Sequence, residues 1–388
     1  MIELNKGQSY GVEQGYLWYR KQNDQVFEVV GPAGSGKTTV INFLIQKLGL
    51  KPNEVLFMAL VGKATMAMAR NGLNAKTIHS SIYEYVPVPK TDENGNPVRI
   101  LGRVQYRREF RKKDQLPRGV KLIVVDEGGM INDGIGMDIL SFGLPVVVLG
   151  DLNQLPPIFG KSFFLKNPNV ILDEVMRQSL GNPIIQLSQD ILNGMYYLEP
   201  RVYGEKCKIV EKSKVTDDML VASDILICGK NKTRDELNQY VRRDIKGIVS
   251  DRPMRGEKLI CRQNNWSERL LDNIYLVNGL TGYVEHVYQE TFNGASFNID
   301  FRPDFLDEYF ENISVDYKHL FSSWSERSDQ KSFYNKFEWA YAITCHLAQG
   351  AQYQDVLVWS ENFGSKDFNK RWMYTAVTRA IDKLTIAV

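Results

Sequence analysis

VVGPAGSGKTTV, residues 29–40, contains a glycine, four further residues and then glycine, lysine and threonine, at Gly31, Gly36, Lys37 and Thr38. The apolar run QVFEVV precedes this stretch and TTVINFLIQKL, with apolar residues at helical spacing, follows it, which predicts a strand, a turn and a helix. Backbone N–H groups converge in such a turn and the helix N-terminus is positive, so the turn suits phosphate. We therefore expect a nucleoside triphosphate site, in which Lys37 contacts the β- and γ-phosphates and the Thr38 hydroxyl binds Mg²⁺.

The composition is that of a globular protein with sizeable cores. The chain has 388 residues, of which 43% are hydrophobic and 24% are charged, and this length favours two to three domains. Apolar runs are shorter than a membrane span and the N-terminal residues have no secretory pattern, so we expect a cytoplasmic protein with no membrane partner. Four widely spaced cysteines and four scattered histidines favour reduced thiols and no structural zinc.

Positive charge is concentrated in one segment. The net charge is only +2, but residues 99–118 contain eight basic and two acidic side chains, so the segment carries +6 and the rest of the chain −4. A basic segment of this kind predicts contact with nucleic acid. The four-residue spacing of Arg99, Arg103, Arg107 and Arg111 also suits the exposed face of a solvated helix.

Buried strands alternate with helices in the first 151 residues. Continuous apolar runs predict parallel strands buried on both faces of a sheet. The runs are QVFEVVG (25–31), EVLFMAL (54–60), KLIVVDE (121–127) and PVVVLGD (145–151). Between about residues 81 and 117, YVPVPKTDENGNPVRIL predicts two short extended pieces around an Asn94-Gly95 turn, as a small insertion.

The same pattern recurs in the second half. DILICGK (224–230), QDVLVWS (354–360) and KLTIAV (383–388) predict strands, and KTRDELNQYVRRDI predicts a helix. Alternating residues from about 256 to 300 predict a small β-barrel, whereas the aromatic and acidic residues 302–337 receive no assignment. The chain is therefore predicted to be α/β, with two domains that each carry an insertion.

Carboxylates and arginines supply candidates for the rest of a nucleotide site. Asp126 and Glu127 follow the run LIVV, so we expect Asp126 to position Mg²⁺ and Glu127 to activate water. Gln154 follows the next strand and could sense the γ-phosphate, although it equally suits an ordinary loop. Arg177 and Arg379 are candidates to offset the charge of the transferred phosphoryl group, and each alone also suits an ion-paired surface arginine.

These stretches together resemble the superfamily 1 helicases, above all the branch that contains RecD and the compact phage helicase Dda. The similarity extends in order from about Leu4 to Val388. It is carried by LNKGQ, GPAGSGKTT, KTIHSSI, VVDEGGM, LGDLNQLPPI, DEVMRQS, VNGLTGYV, AYAITCHLAQGAQYQDVLV and MYTAVTRAIDKLTI. Two departures stand out: Leu347 replaces a usual lysine, and Gly128-Gly129 replaces small residues such as Ala-Ser, which predicts a looser turn.

The resemblance implies a role for each matching residue. It assigns adenine contact to one glutamine, phosphate and Mg²⁺ contacts to the glycine-rich stretch and Asp126, catalysis to Lys37 and four further residues, and DNA contacts to two segments. The glutamine is Gln8, and the phosphate and Mg²⁺ contacts are Gly34, Ser35, Gly36, Lys37, Thr38, Thr39 and Asp126. The further catalytic residues are Glu127, Gln154, Arg177 and Arg379. The DNA contacts are Thr77, His79, Thr344, His346 and Gln349.

The resemblance also implies an architecture. We expect two RecA-like parallel-sheet domains, with a β-hairpin pin inserted in the first and a small β-barrel of the Src-homology-3 type in the second. The expected divisions are 1–82 with 119–180, the pin at 83–118, 181–255 with 338–388, and the barrel-like insertion at 256–337.

The implied function is that of an ATP-dependent DNA helicase or translocase, moving 5′-to-3′ on single-stranded DNA in a prokaryotic or phage-infected cytoplasm. Expected partners are single-stranded DNA, forked duplex DNA and a single-strand-binding, replication or recombination protein. An RNA helicase or a remodelling ATPase on the same motor core is the alternative. A small-molecule kinase or nucleotide-gated module is a third class, which does not account for GDLNQLPP together with YTAVTRA.

Overall fold

The computed structural model describes residues 3–60, 65, 73–89, 91, 95–97, 99–100, 103–104, 106–157, 162–173, 181–195, 198–271, 274–292, 294–327 and 332–388. The predicted catalytic residue Arg177 lies outside these residues. The strands of the first part are β1 (Val26–Val30), β2 (Val55–Ala59), β3 (Ala75–Thr77), β4 (Tyr83–Pro89), β5 (Arg99–Ile100), β6 (Arg103–Val104), β7 (Tyr106–Lys112), β8 (Leu122–Val125), β9 (Val146–Gly150) and β10 (Val170–Ile171).

The strands of the second part are β11 (Arg201–Tyr203), β12 (Cys207–Val210), β13 (Ile225–Cys228), β14 (Lys258–Cys261), β15 (Asn265–Leu271), β16 (Ile274–Leu276), β17 (Thr281–Tyr288), β18 (Ser296–Pro303), β19 (Phe310–Asp316), β20 (Phe337–Trp339), β21 (Ala342–Thr344), β22 (Tyr353–Trp359) and β23 (Ala380–Ala387). The α-helices are α1 (Lys6–Lys21), α2 (Lys37–Leu48), α3 (Ile78–Ile82), α4 (Asp133–Leu140), α5 (Pro183–Leu192), α6 (Asp217–Ala222), α7 (Asn231–Gln239), α8 (Tyr317–Phe321), α9 (Cys345–Ala348) and α10 (Lys366–Val377).

The first sheet has six parallel strands in the order β10-β1-β9-β8-β2-β3. Every residue of β2, β8 and β9 is buried, as the continuous apolar runs predicted. Alternate residues of β1 enter different cores, with Val29 on one face and Val30 on the other. The prediction of an α/β fold with a parallel sheet is therefore confirmed.

The second sheet also has six strands, in the order β11-β12-β23-β22-β13-β21. All neighbours in it are parallel except β11 and β12. One face packs against α5 and α10, where Leu187 and Trp372 are buried. The other face packs against α7 through Leu237. Because parallel strands end at the same edge of a sheet, the loops after β1, β8 and β9 share one edge and those after β13, β21 and β22 another.

Antiparallel strands form two further units. A five-stranded sheet has the order β19-β18-β17-β14-β20, so residues 302–337, which had no assignment, contribute β19, α8 and the first residue of β20. Strand β4 pairs with β7 along its whole length, from Tyr83 opposite Lys112 to Pro89 opposite Tyr106. The helix alternative for the basic segment is therefore wrong where this pairing runs, because the main chain of 106–112 is bonded to a neighbouring strand.

Buried ion pairs join the five-stranded sheet to the second sheet. Glu338 in β20 is 5% exposed and lies within 2.9 Å of Arg234 in α7 and 3.2 Å of Arg262 and of Arg327. Burial alone raises the pKa of Glu338, but the His319 hydrogen bond and the three arginines together hold it at about 2. Among the residues that the structure describes, no helix is long and apolar enough to cross a membrane.

Candidate active site

The loop of residues 31–36, called the phosphate loop here, joins β1 to α2 as predicted. Gly34 and Gly36 have φ angles of 79° and 82°, values that suit glycine, and Gly36 caps the N-terminus of α2. Lys37 folds back so that its Nζ donates to the carbonyl oxygens of Gly31 at 2.6 Å and Pro32 at 3.0 Å. The phosphate loop therefore holds the Lys37 ammonium through two carbonyl oxygens at the N-terminus of α2, a helix end that suits phosphate.

Gln8 supports this loop from behind. Its side chain is fully buried, and its Nε2 donates to the carbonyl oxygen of Ser35 at 3.0 Å. Its Oε1 accepts the backbone N–H of Asn5, which completes the cap of α1. The structure thus places Gln8 against the loop backbone, and its predicted contact with adenine remains a prediction.

Asp126 and Glu127 follow β8 at the same sheet edge. Burial and the neighbouring Glu127 charge raise the pKa of Asp126 to about 6, while the charges of Lys37 and Arg379 oppose the rise. Glu127 has a φ of 52°, a left-handed conformation that is strained for a residue with a side chain and is often found at functional sites. Asp126 and the exposed Thr38 hydroxyl are the hard oxygen ligands that Mg²⁺ prefers, and a divalent cation would stabilise the ionised form of this carboxylate.

The glycine pair after Glu127 is not a loose turn. A Cβ on Gly128 would lie 2.2 Å from Val148 Cγ1, so only glycine allows the close approach to β9. A Cβ on Gly129 would make an ordinary contact, at 3.6 Å from Leu165. The predicted looser turn is therefore wrong at Gly128, where the absent side chain permits tight packing.

The loop of residues 151–155 follows β9 and carries Asp151 and the predicted Gln154. Asp151 is 6% exposed, and its Oδ1 accepts the backbone N–H of Asn153 at 2.9 Å. Gln154 is half-buried. These residues end on the same edge as the phosphate loop, which is where a γ-phosphate sensor is required.

Arg379 brings the second sheet to this edge. It is 3% exposed, and its Nη1 lies 3.9 Å from Glu127 Oε1. Its Nε donates to the Thr375 carbonyl oxygen at 3.0 Å and its Nη1 to the Ala351 carbonyl oxygen at 3.2 Å. The predicted arginine and the predicted base are therefore brought together from residues more than 250 positions apart in the sequence.

Several contacts of the second sheet with the 151–155 loop were not predicted by the motifs. Gln349 Nε2 donates to the Leu155 carbonyl oxygen at 2.7 Å, and the Leu155 N–H donates to Thr375 Oγ1 at 2.9 Å. Tyr374 is buried and its hydroxyl donates to Asp151 at 2.6 Å. The helical spacing of the polar residues in RWMYTAV is the signal that could have found this face.

The residues predicted to contact DNA lie at two loops. Thr77 is buried and caps α3 by accepting the Ser80 N–H, and Thr344 is also buried at the start of α9. Burial lowers the pKa of both His79 and His346. Both rings are therefore mostly neutral at pH 7, and they would contact a strand as hydrogen-bonding groups.

Trp359 lines an open cavity at the carboxyl edge of the second sheet. The cavity has a volume of about 550 Å³ and also contains Lys212 and Lys230. The Lys212 ammonium lies 5.4 Å from the centre of the Trp359 ring. Trp359 is thus half-buried beside cations, whereas Trp372, which also lines the cavity, is buried in the core.

Two family models match the chain. One is described as an AAA domain and matches residues 3–209, and the other is described as a UvrD-like helicase C-terminal domain and matches residues 339–387. The first covers the phosphate loop, Asp126 and Gln154, and the second covers the segment from β20 through Arg379.

Two curated relatives extend the comparison. The ATP-dependent RecD2 DNA helicase of Deinococcus radiodurans is 24% identical, and the match covers 96% of this chain and 48% of that protein. The ATP-dependent DNA helicase Dda of Enterobacteria phage T4 is 23% identical, and the match covers 92% of this chain and 93% of that protein. These matches confirm the resemblance to helicases of the RecD and Dda type. The chain spans only 36% and 48% of the first curated relatives that it matches.

A solved structure shares the fold. The Pif1 helicase from Bacteroides, in complex with ADP-AlF3 and single-stranded DNA, matches with a TM-score of 0.53 and 18% identity, covering all of this chain and 93% of that one. At this identity the likeness concerns the fold alone.

Proposed function

We propose that the protein, which belongs to the AAA domain family, is an ATP-dependent DNA helicase or translocase acting on single-stranded DNA. The observation that carries the proposal is the approach of Arg379, from the second sheet, to within 3.9 Å of Glu127, from the first. A site completed by two sheets makes hydrolysis depend on their relative position. Such dependence is what a motor requires in order to convert hydrolysis into movement.

The chain's own residues divide the work of hydrolysis among them. Bound Mg²⁺-ATP would supply the γ-phosphoryl group that is transferred to water and a cation that neutralises the charge of that group. Lys37 holds the phosphates, and Thr38 and Asp126 hold the cation. Glu127 accepts a proton from the attacking water, and Gln154 orients that water. The rest of the loop around the phosphates is formed by Gly34, Ser35, Gly36 and Thr39. Gln8 contacts the adenine, and Arg177 is the second arginine that offsets the phosphoryl charge.

The names of relatives support DNA as the substrate. RecD2 and Dda are both ATP-dependent DNA helicases, and Pif1 of Bacteroides binds single-stranded DNA. For this chain we propose a strand that crosses both sheets, contacting Thr77 and His79 at one and Thr344 and His346 at the other. Gln349 then links the strand to the 151–155 loop, to which it donates a hydrogen bond.

The architecture is proposed to serve this task. Residues 1–82 with 119–180, and 181–255 with 338–388, form two RecA-like domains around the two six-stranded sheets. The hairpin of β4 and β7, within 83–118, acts as a strand-separating pin at forked DNA. The insertion at 256–337 is a barrel of the Src-homology-3 type. Movement is 5′-to-3′, and a single-strand-binding, replication or recombination protein is the partner.

The experiment is a steady-state ATPase assay with and without a single-stranded DNA oligonucleotide. We expect strong stimulation by the strand, loss of turnover in Lys37→Ala and normal turnover in Lys21→Ala, an exposed lysine at the end of α1. Arg379→Ala should still bind ATP but lose turnover by roughly 10³-fold or more, as for arginine fingers. Turnover that is indifferent to any strand would indicate another class of nucleotide enzyme.

A strand-displacement assay on matched DNA and RNA duplexes tests the substrate. Displacement of DNA alone supports the proposal, and displacement of RNA alone overturns the choice of DNA. Strand-stimulated turnover without displacement of either duplex would indicate a translocase that remodels protein–nucleic-acid complexes.

A further inference from the structure

The hydroxyl of Tyr374 bridges two segments of the first sheet from a helix of the second. Tyr374 lies in α10 and is fully buried. Its hydroxyl donates to Asp151 Oδ2 at 2.6 Å and accepts the backbone N–H of Ala33 at 2.8 Å. Ala33 is part of the phosphate loop and Asp151 begins the 151–155 loop, so a single oxygen contacts both.

Neighbouring residues of α10 hold the same loop. Thr375 Oγ1 accepts the N–H of Leu155 at 2.9 Å, and Arg371 Nη1 donates to the carbonyl oxygen of Leu152 at 2.8 Å. Three side chains of one helical turn thus contact the loop, two near its beginning and one at its end. The Tyr374 contact differs from the other two because it alone extends to the phosphate loop.

The same helix positions Arg379. Arg379 follows the C-terminus of α10, and its Nε donates to the carbonyl oxygen of Thr375 at 3.0 Å. The residue next to Tyr374 therefore fixes the guanidinium. Any shift of α10 relative to the phosphate loop moves the guanidinium relative to Glu127, which lies 3.9 Å away.

We propose that Tyr374 is a positioning residue of the ATP site, whose hydroxyl sets the distance between the phosphate loop and Arg379. The proposal rests on the proposed function and names a residue that acts through Arg379 on the reaction. Its ring is packed in the core of the second sheet and does not stack on a base. The hydroxyl is therefore the part of the side chain that serves the site.

Tyr374→Phe isolates this hydroxyl. Phenylalanine fills the same space in the core but leaves the Ala33 N–H and Asp151 Oδ2 without their partner. If the lost hydrogen bond to a charged group stabilises the transition state, its removal lowers kcat by roughly 10- to 100-fold. Because Lys37 and the rest of the phosphate loop still bind ATP, KM for ATP should change by less than about 3-fold.

Tyr203→Phe is the matched control. Tyr203 is also buried in the core of the second sheet, and its hydroxyl donates to the carboxylate of Asp190 at 3.3 Å, away from the phosphate loop. We expect wild-type kcat in this variant. Equal losses in Tyr374→Phe and Tyr203→Phe would show a general effect of removing a buried hydroxyl and would overturn the proposal.

A double-mutant cycle with Arg379→Ala identifies the route of the effect. If Tyr374 acts through Arg379, Tyr374→Phe should reduce the residual turnover of Arg379→Ala by less than about 2-fold. Additive losses would overturn the proposal. Asp151→Asn, which weakens the same bridge from its other end, supplies a second variant if Tyr374→Phe does not fold, and it should show the same fall in kcat at unchanged KM.

The outcomes separate this inference from the proposed function. Absence of strand-stimulated ATPase activity in the wild type would defeat the proposed function. Strand-stimulated wild-type activity, together with a Tyr374→Phe kcat within 2-fold of wild type, would defeat only the positioning role.

Discussion

Asp126 occupies a site that disfavours its own charge. Its pKa is raised from 3.8 to about 6, first by burial and then by Glu127. Between about pH 4 and pH 6 the folded protein binds more protons than the unfolded chain, so the free energy of unfolding falls as pH rises through this window and stays lower above it. The proposed function therefore opposes stability at this residue, because the ionised form is the one that would bind the proposed cation.

Asp126→Asn should reveal this opposition. The neutral amide has the same shape, so we expect it to raise the free energy of unfolding at pH 7.5 by up to about 3 kcal/mol, with little change near pH 4. Thermal unfolding at both pH values measures the difference, and Asp114→Asn, at an exposed carboxylate, is the control. A shift of equal size at both pH values would indicate altered packing instead of relieved charge.

Gly128 and Gly129 provide a second test at single-residue resolution. Gly128→Ala places a Cβ 2.2 Å from Val148 Cγ1, so overpacking should reduce the free energy of unfolding by about 1 to 3 kcal/mol. Gly129→Ala has room for the methyl group and should be neutral or slightly stabilising, since alanine restricts the unfolded chain. Thermal melts measure the change in unfolding free energy of each variant. Equal destabilisation of the two variants would contradict the close approach of Gly128 to β9.

At the scale of secondary-structure elements, burial on both faces made the central strands predictable. β2, β8 and β9 appear as continuous apolar runs because every residue in them is buried. In β19 the buried residues Phe310, Ile313 and Val315 do not keep a spacing of two, because the pairing with β18 shifts register between Ile299 and Phe301. A period-two search therefore misses that strand, and β10, with two residues, is too short for any pattern.

The same reasoning applies to the site. Asp126 and Glu127 could be predicted because they directly follow a recognisable strand, β8, and the carboxyl ends of parallel strands lie at one edge of the sheet. Tyr374 could not, because its partners Asp151 and Ala33 lie 223 and 341 positions away in the sequence. The helical spacing of the polar residues in RWMYTAV indicates a polar face on α10, but only the packing of α10 against both loops reveals the partners of the Tyr374 hydroxyl.

The β4–β7 hairpin carries the prediction that belongs to this scale. If Arg99 and Arg111, both exposed, bind strand phosphates, then the double variant Arg99→Gln/Arg111→Gln should flatten the plot of log affinity against log salt by about 0.7 for each phosphate that is no longer neutralised. Fluorescence anisotropy with a single-stranded oligonucleotide measures the slope. Arg20→Gln/Lys21→Gln removes equal charge from two exposed residues in the last turn of α1, outside the hairpin, and should leave the slope unchanged.

For the whole molecule, the decisive feature is that both sheets contribute to one site. Arg379 reaches Glu127, Tyr374 reaches the phosphate loop and Gln349 reaches the 151–155 loop, all from the second sheet. Occupation of the phosphate loop must therefore change the free energy of bringing the sheets together. Under the proposed function, a strand that lay across both sheets would respond to the same change, and the two ligands would then be coupled thermodynamically.

This coupling predicts reciprocal binding. A non-hydrolysable ATP analogue should change the Kd of a single-stranded DNA oligonucleotide by at least about 5-fold, and saturating oligonucleotide should change the Kd of the analogue by the same factor. Arg379→Ala should bind both ligands and reduce the factor toward one, because it removes the side chain that approaches Glu127 from the second sheet. Equilibrium titrations of each ligand with and without the other provide the four constants. If each wild-type Kd were the same with and without the other ligand, nucleotide binding would not change the relative position of the sheets. ATP hydrolysis could not then drive movement along a strand.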